Sequence, residues 1–311
     1  MEPTARLERL ADCPEWSSEA LAGFCGATVF HEPWYLALLG VERLWTVRSG
    51  GALIAGMPAF VADEGRALAQ SSLAIPYGGP AFAPDALEPR RRMLRHREIM
   101  QALIAALGRS YERVDVSLSP ALRDVVPFLR AGFVPELRYT YVHRGAGESL
   151  SGGRRNDLVR ARRAALAVRP DPGLERFDVA MSVQWDRDPQ HARLGEAVLR
   201  TAIARGRGQA WLAVAGDRPV AGLFACWDTH HGYTTHAYVT EEGAAHGAAT
   251  LLYVHAIDHL QRARGLVVDL EGSVLPGVEQ FYQSFGAEQT LYLRLHWRRD
   301  GAPGAELYDY A

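Results

Sequence analysis

Apolar residues recur along the chain with two periods, which predict alternating strands and helices. Short apolar or alternating runs predict strands at 44–48, 53–61, 113–118, 134–143, 174–179, 210–215, 220–227, 233–239 and 289–296, and a buried strand that begins at Val267. Helical spacing predicts a short helix from Pro33 and helices at 89–107, 120–131, 154–168, 191–205, 247–264 and 281–285. Helices that separate strands imply parallel crossovers, so we predict an α/β chain with a mixed sheet.

The pattern occurs twice. The segment from Trp45 aligns without a gap on the segment from Trp211, and two later stretches align in the same order. The aligned pairs include Gly50 with Gly216, Gly56 with Gly222, Asp115 with Asp269 and Gly132 with Gly286. Two ordered matches indicate a tandem duplication. We place the boundary in the polar, glycine-rich segment near 148, which gives domains at 1–148 and 149–311.

The two halves differ in the chemistry of their aligned positions. Glu271 aligns on Ser117, and Tyr282 aligns on Phe128. The second half therefore has a carboxylate and a phenol where the first has a small hydroxyl and a plain ring. We expect the chemistry in the second half, with the first as a scaffold or a substrate-binding half.

Composition narrows the chemistry. The 311 residues suffice for about two domains, and all 34 basic residues are arginine. Without lysine, the chain has no amine nucleophile for a Schiff base, and phosphate binding requires arginine, backbone N–H groups or helix N-termini. The net charge of −2 argues against nonspecific binding of nucleic acid by the whole surface.

Cysteine usage and hydropathy indicate the compartment. The three cysteines form no CxxC pair, which is typical of reduced thiols in a cytoplasmic protein. The N-terminus is charged where a signal peptide is apolar. No run of about 18 apolar residues occurs, so we expect no contact with a membrane.

Four segments carry a family resemblance: FHEPWYLALL, GRRNDLVRARRAAL, TEEGAAHGAATLLYVHAIDHLQRARG and DLEGSVLPGVEQFYQSFGAEQ. Together they resemble the FemAB-like group of tandem GNAT-fold proteins, which includes the BioF2-like acyltransferases. The resemblance implies two tandem GNAT-like domains and an acyltransferase. It also places Tyr282 at the FY-x-x-x-G position, where the phenol protonates the leaving group as acyl transfer completes.

Two carboxylates are candidates for the base. Asp269 and Glu271 lie two residues apart, on one face of a strand near its end, and either could accept a proton from an attacking amine. The alternative is that the carboxylates cap the following turn. Because Asp115 recurs at the position of Asp269, a structural role is favoured for Asp269.

The donor site departs from that of ordinary GNAT enzymes, which bind the CoA pyrophosphate with [RQ]-x-x-G-x-[GA] at a helix N-terminus. The aligned residues 244–249 begin with alanine and keep only Gly247 and Ala249. We therefore expect aminoacyl-tRNA as the donor, with acyl-CoA as the alternative.

The arginine-rich helix is the candidate contact with the donor. Arg154, Arg155 and Arg162 lie on it, and Arg155, Arg162 and Arg169 recur every seven residues. Such a stripe could bind tRNA phosphates, whereas the ordinary reading is a solvated helix face.

Other polar residues complete the predicted site. His236 and Tyr238 alternate on one face of a strand, and with Ser273 and Trp34 they are expected to line a substrate cleft. Ser273 lacks the G-x-S-x-G context of a hydrolase nucleophile. His255 and His259 have no third ligand at motif spacing, so we expect no metal and no bound cofactor.

Three functions remain open. The first is transfer of an aminoacyl group from tRNA to the amine of a small acceptor in specialised metabolism, because no heptad run supplies the coiled-coil arm of peptidoglycan-building relatives. The second is an acyl-CoA-dependent N-acyltransferase. The third is a tandem GNAT protein that binds without turnover.

Overall fold

Strands and helices alternate along the chain, and they form two compact units. The structure, a computed structural model, describes residues 3–69, 75–145, 150–177, 189–272 and 276–301. The first unit comprises the described residues of Met1–Arg138 together with those of Leu291–Ala311, and the second comprises those of Tyr139–Thr290.

The described helices vary from one turn to six. They are α1 (Ser18–Leu21), α2 (Pro33–Leu38), α3 (Pro89–Ser110), α4 (Val126–Arg130), α5 (Gly152–Arg163), α6 (Pro189–Ala204), α7 (Glu241–Ala245), α8 (Ala248–Asp258) and α9 (Pro276–Gln283). Side chains cap several of them: Ser151 accepts the Arg154 N–H at the start of α5, and Thr240 accepts the Gly243 N–H at the start of α7.

The described strands are short at the chain start and longer in the second half. They are β1 (Thr4–Arg9), β2 (Arg43–Ser49), β3 (Ala52–Pro58), β4 (Val61–Ala62), β5 (Ala67–Ala69), β6 (Ala81–Phe82), β7 (Arg113–Ser117), β8 (Val134–His143), β9 (Ala167–Pro170), β10 (Gly208–Ala215), β11 (Arg218–Trp227), β12 (His231–Val239), β13 (Val267–Asp269) and β14 (Glu288–Arg298).

Strand pairing is mixed in both units, as the sequence predicts. In the first unit, β1-β2-β3-β6 form an antiparallel sheet, and β4, β5, β7 and β14 pair in that order with β5 parallel to β7. In the second unit the order is β8-β13-β12-β11-β10-β9, with β13 parallel to β12. The helices α3 and α8 bury apolar faces in the cores of their respective units.

The two β-hairpins confirm the internal repeat residue by residue. The opposed pairs are Trp45–Met57 in β2–β3 and Trp211–Leu223 in β10–β11. A bulge follows Val47 in one hairpin and Ala213 in the other, at the aligned position. Gly50 and Gly216 turn the two hairpins with left-handed φ angles of 59° and 60°. Identical register and an identical bulge support a duplication.

The last strands of the two repeats are exchanged. In the first unit Asp115 of β7 lies opposite His296 of β14, the strand that ends the second repeat. In the second unit the aligned Asp269 of β13 lies opposite Val142 of β8, the strand that ends the first repeat. The compact units are therefore not the same segments as the domains 1–148 and 149–311, and that boundary remains a prediction about the repeats.

Several element predictions are wrong in part; for example, the helix predicted at 281–285 spans Pro276–Gln283 in the structure. The helix predicted at 154–168 ends at Arg163, because Ala165 adopts a left-handed φ of 52° and β9 then begins at Ala167. Arg169 therefore lies on a strand, where it pairs with Asp217, and the seven-residue arginine stripe does not form. The helix predicted at 120–131 is only α4, and the segment predicted as a strand from 174 has a helical turn at 175–177.

Opposite charges tie β7, β8 and β14 together in the first unit. The imidazole of His296 places Nδ1 at 2.7 Å from Asp115 Oδ1 and Nε2 at 3.1 Å from Glu136 Oε2. The two carboxylates also pair with Arg113 and Arg138. Only 12% of the His296 side chain is exposed, so these charges depend on one another rather than on water.

We expect the His296→Leu substitution to lower the free energy of unfolding by about 3 kcal/mol, because it leaves two largely buried carboxylates without their shared donor. Urea denaturation measures this change. The control is Glu98→Ala, which breaks an exposed pair with Arg95 and should cost about 0.5 kcal/mol or less. Equal effects of the two substitutions would contradict a structural role for the network.

Candidate active site

The site begins where two parallel strands separate. Strands β12 and β13 pair only over His231–Tyr233 and Val267–Asp269. Strand β13 ends there, whereas β12 continues to Val239 and has a bulge at Thr235. In the part of the chain that the structure describes, the edge of β12 beyond Tyr233 thus lies open on this side. Open strand edges present backbone N–H groups to a ligand.

A cavity of about 850 Å³ lies along this open edge, within the second unit. Strands β11 and β12 and helices α8 and α9 supply its described walls. Its volume is within the range of pockets that bind small molecules and cofactors. The separation of the strands therefore leaves room for a ligand beside β12.

Two tyrosines meet at the cavity wall. Tyr282 of α9 and Tyr253 of α8 both line the cavity, and their ring centroids lie 5.9 Å apart. Burial raises the pKa of both phenols, and the pKa of Tyr282 is raised further by Tyr253 and by the charge of Glu271. Both hydroxyls therefore stay protonated near neutral pH and can donate a proton or a hydrogen bond.

Glu271 supplies a carboxyl group beside this pair. Burial, followed by the charge of Asp269, raises the pKa of Glu271 to about 8. The residue also has a left-handed φ of 63°, which is uncommon outside glycine. A carboxyl group whose pKa is raised to near neutrality is a candidate general base.

Asp269 occupies a supporting position at the end of β13. It is buried, and its Oδ1 atom accepts hydrogen bonds from the Thr140 hydroxyl and from the Glu271 N–H, the latter at 2.8 Å. These bonds fix the turn that carries Glu271. The geometry agrees with the turn-capping role that the repeat favours for Asp269.

The N-terminus of α8 is closed by the protein itself. Gly247 precedes the helix with φ 74°, and a Cβ atom there would lie 2.6 Å from the backbone oxygen of Asp157 in α5. The buried Asp157 carboxylate accepts the Thr250 hydroxyl at 2.7 Å and pairs with Arg154 at 3.0 Å. An internal anion thus lies at the helix end where an external phosphate would be expected.

Backbone N–H groups before α8 are also engaged. The N–H groups of Ala244, His246 and Gly247 donate to carbonyl groups within and just before α7. They are therefore not directed outward, as a phosphate cradle requires. Of the predicted donor residues, Ala249 lines the cavity, whereas Gly247 packs against α5.

The three predicted arginines separate into two environments. Arg154 donates to Thr250 Oγ1 at 3.0 Å and lies 4.9 Å above the ring of Phe281, which lines the cavity. Arg155 and Arg162 are exposed on α5. Arg154 is thus part of the internal network, whereas Arg155, which also donates to the Leu150 carbonyl, and Arg162 are exposed.

The predicted cleft residues are dispersed. Tyr238 lines the cavity with its ring across Gly222, where a Cβ atom would come within 2.2 Å of the ring. His236 is not among the described lining residues, and burial lowers its pKa to about 4, so it is neutral. Trp34 lies in the first unit and donates to Glu32, and Ser273 lies outside the described residues.

Sequence reasoning missed Tyr253 and Asp157. In the sequence, Tyr253 fits the apolar spacing of its helix, and Asp157 is a single acidic residue among arginines, so neither stands out.

The described residues contain no group of three or more His, Cys, Asp or Glu side chains that could hold a metal ion. His255 and His259 instead contact the ring of Trp211.

Comparison with known proteins identifies the fold of the chain. Residues 152–282 match the family model described as an acetyltransferase (GNAT) domain. The chain has a tandem GNAT fold. No curated protein matches.

Solved structures similar to the chain extend over nearly its full length. One is FemX, with a TM-score of 0.61 and 11% identity; the match covers 93% of this chain and 96% of FemX. Another is a tandem GNAT protein from the clavulanic acid biosynthesis pathway, with a TM-score of 0.55 and 12% identity; the match covers 96% of this chain and 99% of that protein. A third is L-PGS from Bacillus licheniformis, with a TM-score of 0.54 and 12% identity; the match covers 88% of each chain. At such identities the likeness shows the fold. None of the described helices has the length and apolar character needed to cross a membrane.

We expect Glu271→Gln to remove a pH-dependent contribution to stability. Because the pKa of Glu271 is about 8 in the folded protein and near 4.3 in an unfolded chain, its contribution to the free energy of unfolding falls as pH rises from about 5 to 8. The unsubstituted protein should lose up to about 1.4 kcal/mol per pH unit relative to the variant.

Denaturant titrations of both proteins between pH 5 and 8 measure this difference. Glu241→Gln, at an exposed position on α7, is the control and should follow the unsubstituted protein. A pH-independent difference between the unsubstituted protein and Glu271→Gln would show that Glu271 does not titrate in this range.

Proposed function

We propose that this protein is an acyltransferase that moves an aminoacyl group from aminoacyl-tRNA to the amine of a small molecule. The GNAT domain supports acyl transfer in general. The observation that carries the choice of donor is the closed N-terminus of α8. The Asp157 carboxylate, which already pairs with Arg154 and Arg160 and accepts the Thr250 hydroxyl, lies against the helix end where a GNAT enzyme would bind the pyrophosphate of acyl-CoA. A donor without pyrophosphate does not need that helix end.

The proposed reaction exchanges an ester for an amide. The acceptor nitrogen attacks the ester carbonyl, a C–N bond forms, and the bond to the ribose oxygen breaks. Glu271 takes the proton that the amine loses, and Tyr282 gives a proton to the leaving oxygen. Exchange with water then removes the proton from Glu271 and restores the proton of the Tyr282 phenol. No proton is gained or lost overall.

Positioning and hydrogen bonding supply the remainder of the catalysis. The open edge of β12 offers N–H groups to the oxygen that becomes negative during attack. The cavity holds the acyl group beside the tyrosines, which reduces the entropy cost of bringing ester and amine together.

Exposed arginines on α5 would bind the tRNA. Arg155 and Arg162 carry positive charge on the same helix whose Asp157 closes the end of α8. Arg154 is not assigned to the tRNA, because its guanidinium is already held by Thr250 and Asp157.

Transfer assays test the reaction directly. The protein is incubated with a panel of amines and either aminoacyl-tRNA or acetyl-CoA, and products are identified by mass spectrometry. We expect ribonuclease-sensitive amide formation with tRNA only, and a rate that increases towards pH 8 as Glu271 ionises. Tyr282→Phe should lower the rate by at least about a hundredfold, whereas Tyr139→Phe should not.

Other results would change the proposed donor, the proposed enzymatic activity or the proposed acid. Product from acetyl-CoA would favour the acyl-CoA-dependent alternative and would exclude Asp157 as a barrier. Binding of tRNA without product from any amine would favour the noncatalytic alternative. Unchanged turnover in Tyr282→Phe would remove Tyr282 as the acid.

Salt dependence tests the arginine assignment. Arg155→Gln combined with Arg162→Gln should weaken tRNA binding and reduce the slope of log K against log salt by about 1.5, because two phosphate contacts are lost. Binding is measured by fluorescence anisotropy over a series of salt concentrations. The control is Arg262→Gln, at an exposed arginine paired with Asp258. An unchanged slope in the double variant would exclude this face.

A further inference from the structure

The chemistry of the cavity wall restricts what can bind there. Among the residues that the structure describes, none that lines the cavity is charged. The wall is formed mainly by apolar side chains such as Leu223, Leu252, Val278 and Phe281, and its side-chain hydroxyl groups belong to Thr240 and three tyrosines. A charged group placed inside would lose its hydration, and none of the described lining residues would offer it an opposite charge.

Small residues keep the cavity open. Ala237 and Ala249 line it from β12 and α8, and Gly222 lets the Tyr238 ring lie flat across β11. The Arg154 guanidinium lies over Phe281, 4.9 Å from the ring centroid, and holds this ring in the wall. The space is therefore defined by specific residues and is not a packing defect.

The gain from filling this space depends on the ligand. Each methylene group that moves from water into an apolar wall strengthens binding about fourfold. Four apolar carbon atoms would therefore strengthen binding more than a hundredfold over a glycyl group. A lysyl or glutamyl group gains nothing comparable, because its charge would have to be desolvated.

We infer that the side chain of the transferred aminoacyl group is apolar and uncharged, of the size of a leucyl or phenylalanyl side chain. This inference rests on the proposed function, because it names the donor that the cavity would accept. The carbonyl carbon lies beside Tyr282 and Tyr253, and the side chain extends between Ala237 and Leu252. Charged aminoacyl groups are excluded by the wall, not by the catalytic residues.

Stable donor analogues test this selectivity without an acceptor. The probes are 3′-amides of 3′-amino-3′-deoxyadenosine that carry glycyl, leucyl, phenylalanyl, lysyl or glutamyl groups, and binding is measured by isothermal titration calorimetry. We expect the leucyl and phenylalanyl probes to bind at least about thirtyfold more tightly than the glycyl probe. The lysyl and glutamyl probes should bind no more tightly than the glycyl probe. Lysyl or glutamyl binding as tight as leucyl binding would overturn the inference.

A cavity-filling variant links the selectivity to the wall. Ala237→Leu should weaken binding of the phenylalanyl probe at least tenfold and leave that of the glycyl probe within twofold. Ala245→Leu adds the same atoms at an exposed position on α7 and is the matched control. Thermal melting confirms that both variants fold. Equal loss for the two probes in Ala237→Leu would show that the side chain does not occupy this space.

Two further outcomes separate this inference from the proposed function. If all five probes bind equally, apolar selection is overturned while a tRNA-type donor is retained. If no adenosine probe binds but octanamide binds and Ala237→Leu weakens it, the apolar acyl site is supported and the tRNA donor is rejected.

Discussion

The short parallel pairing between β12 and β13 is the constraint on which the site depends. Three residues on each strand pair, and then the strands separate. Continued pairing would fill the edge of β12 and remove both the cavity and its exposed N–H groups. Because β13 ends at Asp269, whose carboxylate binds the next turn, the same feature positions Glu271 beside the tyrosines. The separation of the strands and the position of Glu271 are thus consequences of one local arrangement.

Much of this architecture could be predicted from local sequence. Apolar periodicity identified most strands and helices, and the alignment of Trp45 on Trp211 predicted two hairpins whose register proved identical. The left-handed Ala165 could not be predicted, because alanine favours helix and no signal marked the turn. The strand exchange could not be predicted either, because the residue patterns of β8 and β14 would each fit β7 or β13 as a partner.

The residues of the site that lie in a sequence motif could be predicted, whereas those that meet only through packing of distant segments could not. Tyr282 and Glu271 stood out because their aligned positions in the first half lack their polar groups. The contact of Asp157 with Thr250 joins residues 93 positions apart, and no local spacing reports it. Like the pair of Tyr253 and Tyr282, it exists only after α5, α8 and α9 have packed. The proposed choice of donor rests on such contacts, which the local sequence does not report.

The exchanged strands also order events at the ribosome. Strand β7 obtains its neighbour β14 from residues 291–298, near the end of the chain. The edge of β7 therefore stays unpaired until residues 291–298 have been synthesised. Exposed edges attract other strands, so truncation before β14 would favour aggregation of the first unit.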